Sequence, residues 1–411
     1  MTLAIRVLVG LVAGFLLGMA LGASSSPAAA ETIAVISPVG TIFVNLIRMT
    51  VIPLIASLLV ASIGAMAFRG GFGRTVVRAV VVSLGLFLVT EIATMLVSQP
   101  LLARVPIDRD AALALPGAVT PAPTASAPSV GQWLLDMVPP NIVQAAASGA
   151  MLPVILFATL FGFAVARVPE DKRRTVLQAA EGVATAMQQV VLWILALAPI
   201  GVFALAVTLG STLGLSGAGS LIAFVVLVSA LSVLAMALVL YPFGIVVGRM
   251  SPSAFAAYCA PAQAIGFAAR SSLAALPAMV QSAERAGLPP QSSRLVLPVA
   301  IAIFHYGAAV GQTFSVLFVA HLYGVALTAP QLVTIAFAVL VASVTVPGIP
   351  GGSIIALIPV LSAVNLPLEG AAILFAVDTI PDMFRTTANV TGAMTLTAIL
   401  PAPKDSEMIR V

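Results

Sequence analysis

Of the 411 residues, 61% are hydrophobic and only 8% are charged, whereas soluble domains carry about a quarter charged residues; an ordinary soluble protein is excluded. The net charge of +4 comes from basic residues scattered at loop positions, with no basic face interleaved with aromatics, which excludes a nucleic-acid partner. A single cysteine, Cys259, and two histidines, His305 and His321, leave no intramolecular disulfide and no Cys/His metal cluster, and no cofactor is expected.

A membrane helix needs about 20 mostly apolar residues. Apolar stretches at about 4–22, 33–67, 74–103, 132–166, 176–210 and 219–248 predict six spans, with Pro53 and Pro199 inside two of them. The first, followed by Ser24-Ser25-Ser26-Pro27-Ala28-Ala29-Ala30, has the look of a secretory leader with a small-residue cleavage site. It is read as a retained first membrane helix. Residues 105–130, with Pro116, Pro121, Pro123 and Pro128, predict a low-complexity external loop. If the N-terminus is cytoplasmic, 13 basic residues fall in cytoplasmic segments and two, Arg104 and Arg109, fall outside. By the positive-inside rule both termini are then cytoplasmic.

After Arg249 the pattern changes. Two weaker apolar segments are each interrupted, one by Arg270-Ser271-Ser272-Leu273-Ala274-Ala275-Leu276-Pro277 and the other by Pro347-Gly348-Ile349-Pro350-Gly351-Gly352-Ser353. Each is followed by a full-length predicted helix, at about 293–322 and 368–400. Unwound backbone at membrane depth is tolerated only where it is buried in protein or lines a wet cavity, and paired broken segments mark repeats converging on a midplane site.

The last predicted helix carries Asp378, Asp382, Arg385, Thr386 and Asn389 at spacings of three and four, which sets them on one stripe. Ionisable residues inside a span are expensive and point to function, although a structural Asp382–Arg385 salt bridge is the plain alternative. A guanidinium is a rigid fork of donors matched to a carboxylate, so Arg385 is assigned an acid. An aspartate one turn away suits an ammonium, and exposed amides of a half-helix near Ser271 and Ser272 suit a second carboxylate. Two carboxylates and an ammonium describe aspartate or glutamate.

With these motifs the chain resembles the glutamate transporter family, also called the dicarboxylate/amino acid:cation symporters. The resemblance runs through Phe43-Val-Asn-Leu-Ile-Arg48-Met49 to Pro53, Leu134-Leu-Asp136-Met-Val-Pro139 and Ala198-Pro199-Ile-Gly-Val-Phe203-Ala-Leu205. It continues through Arg270-Ser271-Ser272 with Leu276-Pro277, Gly348-Ile349-Pro350-Gly351, and Arg385-Thr386 with Asn389-Val-Thr-Gly392. It implies an all-α polytopic membrane protein with eight helices and two re-entrant hairpins, in a homotrimer in the inner (plasma) membrane. Residues 1–70 and 131–215 would form the scaffold. Residues 71–104 and 216–400, with hairpins at about 252–289 and 329–365, would form a mobile transport domain, and 401–411 a cytoplasmic tail. An elevator motion gated by the second hairpin is implied. The resemblance sets Arg385 against the substrate side-chain carboxylate and Asp382 and Asn389 against the amino group, with Thr386, Ser271, Ser272 and the Gly348–Gly351 tip completing the pocket.

The family's sodium ligands are missing. Its Asn-Met-Asp-Gly-Thr run is replaced by Phe304-His305-Tyr306-Gly307-Ala308, the aspartate expected four residues after Asn389 is Ala393, and a Thr-Ser pair aligns with Leu86-Phe87. Hard cations favour oxygen ligands, so sodium is disfavoured. Glu91, His305 and Asp378 remain as candidate proton carriers, and proton-coupled and uncoupled transport stand level. The alternatives are a C4-dicarboxylate symporter, an anion channel, and an intramembrane hydrolase using Ser271 or Ser272 with His305.

Overall fold

A computed structural model describes residues 3–24, 26–68, 74–105, 135, 137–288, 296–297, 300–301, 305–345 and 352–400. The chain is an all-α polytopic membrane fold, with five described helices long and apolar enough to cross a bilayer.

Helix α1 (Leu3–Ala23) places Gly10, Gly14, Gly18 and Gly22 on one face, four residues apart. That face lies against the first half of α7 (Ala198–Ala235). A Cβ on Gly10 would sit 2.5 Å from the Pro199 carbonyl oxygen and one on Gly22 2.6 Å from that of Ser211, with Gly14 and Gly18 tighter still against Phe203 and Val207. Both helices advance together along this list, so they run parallel in register. In lipid, water provides no drive for helix association, and small residues let backbones approach closely enough for dispersion to hold them. Helix α2 (Pro27–Phe68) contains Pro38 and Pro53 and packs on α5 (Met151–Val165), α6 (Glu170–Ala196) and α7.

Helix α3 (Arg74–Leu102) buries a polar stripe of Ser83, Thr90, Glu91, Thr94 and Ser98. Three of its hydroxyls, on Thr90, Thr94 and Ser98, donate to the carbonyls of Leu86, Thr90 and Thr94 one turn back, which satisfies them within the helix. The predicted 132–166 span is interrupted, because α4 (Ile142–Ala147) is capped by Asn141 and is separated from α5 by Gly149 at φ 76°. The expected 176–210 span starts earlier, at Glu170, and turns at Leu197 just before Pro199. Gly214 adopts φ 55°, ψ −141° and kinks α7, which continues through a π-turn (Met236–Leu240) into α8 (Tyr241–Val246).

The first interrupted segment is an antiparallel pair, α9 (Pro252–Ala269) and α10 (Ser272–Arg285). The break is two residues long, not eight: Arg270 ends α9 in the left-handed region at φ 51°, and Ser271 caps α10 by accepting from the Ala274 amide at 3.3 Å. Pro277 lies inside α10. The helix predicted over 293–322 is also not continuous, since His305 is non-helical at φ −102°, ψ 82° and α11 (Tyr306–Leu322) starts after it. Apart from His321 every residue of α11 is buried, which makes it the central strut. The second interrupted segment comprises α12 (Ala329–Thr345) and α13 (Gly352–Ala363), which also pack together; Gly352 and Ser353, expected in the break, are helical. The final helix is split at Asp378 into α14 (Glu369–Val377) and α15 (Thr379–Ile399).

Apolar residues of α1, α2, α7 and α11–α14 form the main core. A second core joins α9 and α10 to α15 through Phe255, Tyr258, Met279 and Met394. These two cores hold α15 between α11 and the α9/α10 pair.

Candidate functional site

Four charged side chains converge where α15 meets the break between α9 and α10. Asp378 sits at the junction of α14 and α15, and Asp382, Arg385, Thr386 and Asn389 follow on one face of α15. Arg385, 2% exposed, donates from one terminal nitrogen to both oxygens of Asp378 at 2.6 and 2.7 Å and to Oδ1 of Asp382 at 3.4 Å. The other oxygen of Asp382 lies 3.9 Å from Arg270. The Asp382–Arg385 salt bridge considered as the plain alternative therefore exists, yet it is the longer of the two bonds, within a larger cluster. Asp378 heads the stripe at the junction, in right-handed helical conformation with its carbonyl accepting from the Asp382 amide at 2.8 Å, and the long arginine reaches back to it.

A buried arginine needs room for its stem, and glycines on α11 provide it. The aliphatic part of Arg385 lies over Gly311, whose added Cβ would fall 3.1 Å from Cγ, 3.0 Å from Nε and inside contact distance of Cδ. Gly307, one turn before, faces the Arg385 backbone carbonyl. The same Gly307 donates its amide to Oδ1 of Asn389 at 2.6 Å, so one lone pair of the expected amino-group ligand already serves the first turn of α11. The Nε of Arg385 is buried without a hydrogen-bond partner among the described residues. Thr386 is buried beside Gly266 of α9. Ser271 and Ser272 begin α10 next to Arg270, with Ser272 buried. Gly348, Ile349, Pro350 and Gly351 lie outside the described residues.

The other proton-carrier candidates share no described hydrogen bond with this cluster. Thr313 of α11 donates to Oε1 of the fully buried Glu91 at 3.4 Å, while Oε2 has no partner among the described residues. His305 Nδ1 lies 2.9 Å from the Ser343 carbonyl on α12; a carbonyl only accepts, so Nδ1 carries the proton, and the buried Nε2 has no partner among the described residues.

Where the resemblance calls for a sodium-binding carboxylate, Tyr306 is buried with its ring against Gly392 and its hydroxyl 3.5 Å from the Ser83 carbonyl. Ala393, Leu86 and Phe87 are buried and apolar. The site also includes residues the sequence reading gave no role. Arg270 entered only as a motif letter and Gly307 and Gly311 only as helix residues, although a cation at a helix break and a Gly-x-x-x-Gly spacing were both visible. Gln263 of α9, which donates to Thr391 at 2.8 Å and Tyr241 at 3.2 Å, carried no such signal.

The profile of the sodium:dicarboxylate symporter family matches residues 3–402. The chain belongs to that family. Among symporters of this family, the chain is similar to the proton/glutamate-aspartate symporter of Escherichia coli K12, with 30% identity covering 95% of this chain and 90% of that protein. It is similar to the proton/sodium-glutamate symport protein of Bacillus subtilis 168, again at 30% identity with 95% and 90% covered. It also resembles the C4-dicarboxylate transport protein of Yersinia enterocolitica, at 29% identity with 86% and 83% covered. The chain is accordingly a secondary transporter of acidic substrates and an integral membrane protein, not an enzyme.

Proposed function

We propose that this transporter carries an acidic amino acid, aspartate or glutamate, through the site around Arg385, without a sodium requirement. The buried cluster of Arg270, Asp382, Arg385 and Asp378 carries the reading. With both carboxyls ionised its charges cancel. An acidic amino acid offers a side-chain carboxylate to Arg385, an ammonium to Asp382 and an α-carboxylate to the start of α10 at Ser271 and Ser272, adding one net negative charge. A C4 dicarboxylate, the substrate class named for the Yersinia relative, adds two and leaves Asp382 facing a like charge, which costs several kcal/mol when desolvated.

One added negative charge in a buried neutral cluster favours a cation travelling with it. Sodium is disfavoured by Tyr306, Ala393, Leu86 and Phe87 at the expected ligand positions. A proton fits better, in keeping with the name of the Escherichia coli relative, and Asp378, Glu91 and His305 are its candidate carriers. Uncoupled movement is the second reading, because the two carriers outside the cluster share no described hydrogen bond with it.

The transport step is proposed as an elevator in a homotrimer in the plasma membrane, with both termini cytoplasmic. Residues 1–70 and 131–215 form the scaffold, residues 71–104 and 216–400 move, and the second hairpin gates. An apolar boundary between α2 and α6 on one side and α13 and α14 on the other, lined by Val44, Val191, Ile354 and Phe375, supports sliding there.

Uptake of radiolabelled aspartate, glutamate and succinate into proteoliposomes, with sodium and proton gradients imposed separately, tests the reading. Aspartate or glutamate uptake in the absence of sodium is expected. Succinate outcompeting both would show that Asp382 is wrongly assigned.

A further inference from the structure

The stem of Arg385 rests on a helix face that has no side chain beneath it. On α11, Gly307 and Gly311 are one turn apart and both meet Arg385, but in different ways. Gly307 meets its backbone carbonyl and Cβ, which are fixed in α15. Gly311 meets Cγ, Cδ and Nε, which can rotate. The first glycine therefore sets how closely the two helices pack, and the second sets where the guanidinium lies.

We infer that Gly311 fixes the length of acidic side chain the site accepts, an inference that rests on the acidic-amino-acid reading. With hydrogen at this position the arginine settles against α11 and its terminal nitrogen is held there by Asp378 at 2.6 and 2.7 Å. A methyl group at residue 311 would overlap Cδ and displace the stem by on the order of 1 Å, close to one carbon–carbon bond. Asp378 at the head of α15 and Asp382 within it hold the side of the guanidinium nearest that helix, so the displaced stem moves away from α11, toward the side where Asp382 meets Arg270. The pocket between the guanidinium and the break at Arg270–Ser272 shortens by about one methylene. The recessed arginine of this chain thus suits the longer acid, glutamate, and a larger residue at position 311 suits aspartate. The unpartnered Nε is in keeping with a side chain placed by the space available to it and by its terminal bonds.

The experiment is competition binding of L-aspartate, L-glutamate and L-2-aminoadipate to the purified full-length protein in detergent, for wild type, Gly311→Ala and Gly18→Val. The wild type is expected to bind glutamate at least as well as aspartate. Gly311→Ala is expected to move the ratio of glutamate to aspartate affinity toward aspartate by about tenfold or more, the range one methylene commands in a fitted pocket. Gly18→Val, in α1 against the Val207 carbonyl of α7, is expected to lower thermal stability while any remaining binding keeps the wild-type ratio. An unchanged ratio in a folded Gly311→Ala protein overturns the inference. So does a wild type that prefers aspartate strongly, a result available even if neither variant folds. If the wild type binds none of the three acids, the acidic-amino-acid reading fails and the inference with it, an outcome distinct from binding without length preference.

Discussion

Arg385 and Asp378 are seven residues apart, and a single nitrogen of the arginine lies within 2.7 Å of both oxygens of the aspartate. Helical side chains point back toward the N-terminus, so an arginine on the second turn of α15 can return to the junction where α14 ends. The junction residue thereby orients the guanidinium that is proposed to receive substrate. Among the described residues, removing Asp378 leaves Arg385 with only the 3.4 Å bond to Asp382.

Asp378→Ala is accordingly expected to destabilise the protein by about 3–5 kcal/mol, the cost of stripping one partner from a buried pair. Combining Asp378→Asn with Arg385→Met is expected to recover part of the loss, since no uncompensated charge then remains. Thermal unfolding of the single and double variants in detergent measures both. Additive losses would show that the pair is not energetically coupled.

Arg385→Ala is expected to weaken aspartate and glutamate by about 30-fold or more, from the 2–5 kcal/mol attached to a buried charge partner. Small neutral amino acids such as alanine and serine should gain relative to the acids, because Asp382 remains to hold their ammonium. Competition against a labelled neutral amino acid reads this directly. Retained acid preference would place the carboxylate elsewhere.

Substrate affinity is expected to be unchanged when sodium is varied over a wide range with choline as replacement. Tyr306 fills the position of the missing carboxylate with an aromatic ring, and Ala393 offers no side-chain oxygen. A strong rise in affinity with sodium would mean that backbone carbonyls build a site unaided.

Glu91→Gln is expected to preserve the bond from Thr313 and the fold while abolishing uptake driven by a pH gradient, because an amide accepts the same hydrogen bond but carries no exchangeable acid proton. Exchange of labelled for unlabelled substrate at symmetric pH should persist. Proton-driven uptake that survives in this variant would leave Asp378 and His305 as the remaining candidates.

Gly18→Val in α1 is expected to cost about 1–3 kcal/mol by overpacking against the Val207 carbonyl of α7. Thermal stability in detergent should fall while the Arg385 site, on other helices, keeps its substrate preference. A neutral effect would show that the parallel α1–α7 contact is loose.

The sequence by itself determined that the chain lies in a membrane, that it carries two interrupted segments, and that Asp382 and Arg385 are the chemistry to explain. Those conclusions follow from local facts: apolar runs long enough for a bilayer, glycine and proline inside them, and charges where lipid penalises charge. The family resemblance was also legible, in motifs such as Arg385-Thr386 and Asn389-Val-Thr-Gly392. Tertiary structure decided what depends on neighbours distant along the chain. The break at Arg270 shrinks to two residues because Ser271 caps the next helix at once. Arg270 joins the charged cluster only because α9 and α10 pack on α15, and Asn389 gives up one lone pair because α11 starts beside it. Glycine spacing in α1 and α11 was on view throughout, but what each glycine touches was not. Whether a missing side chain means close helix packing, as at Gly14 and Gly307, or room for an arginine, as at Gly311, is settled by the facing helix.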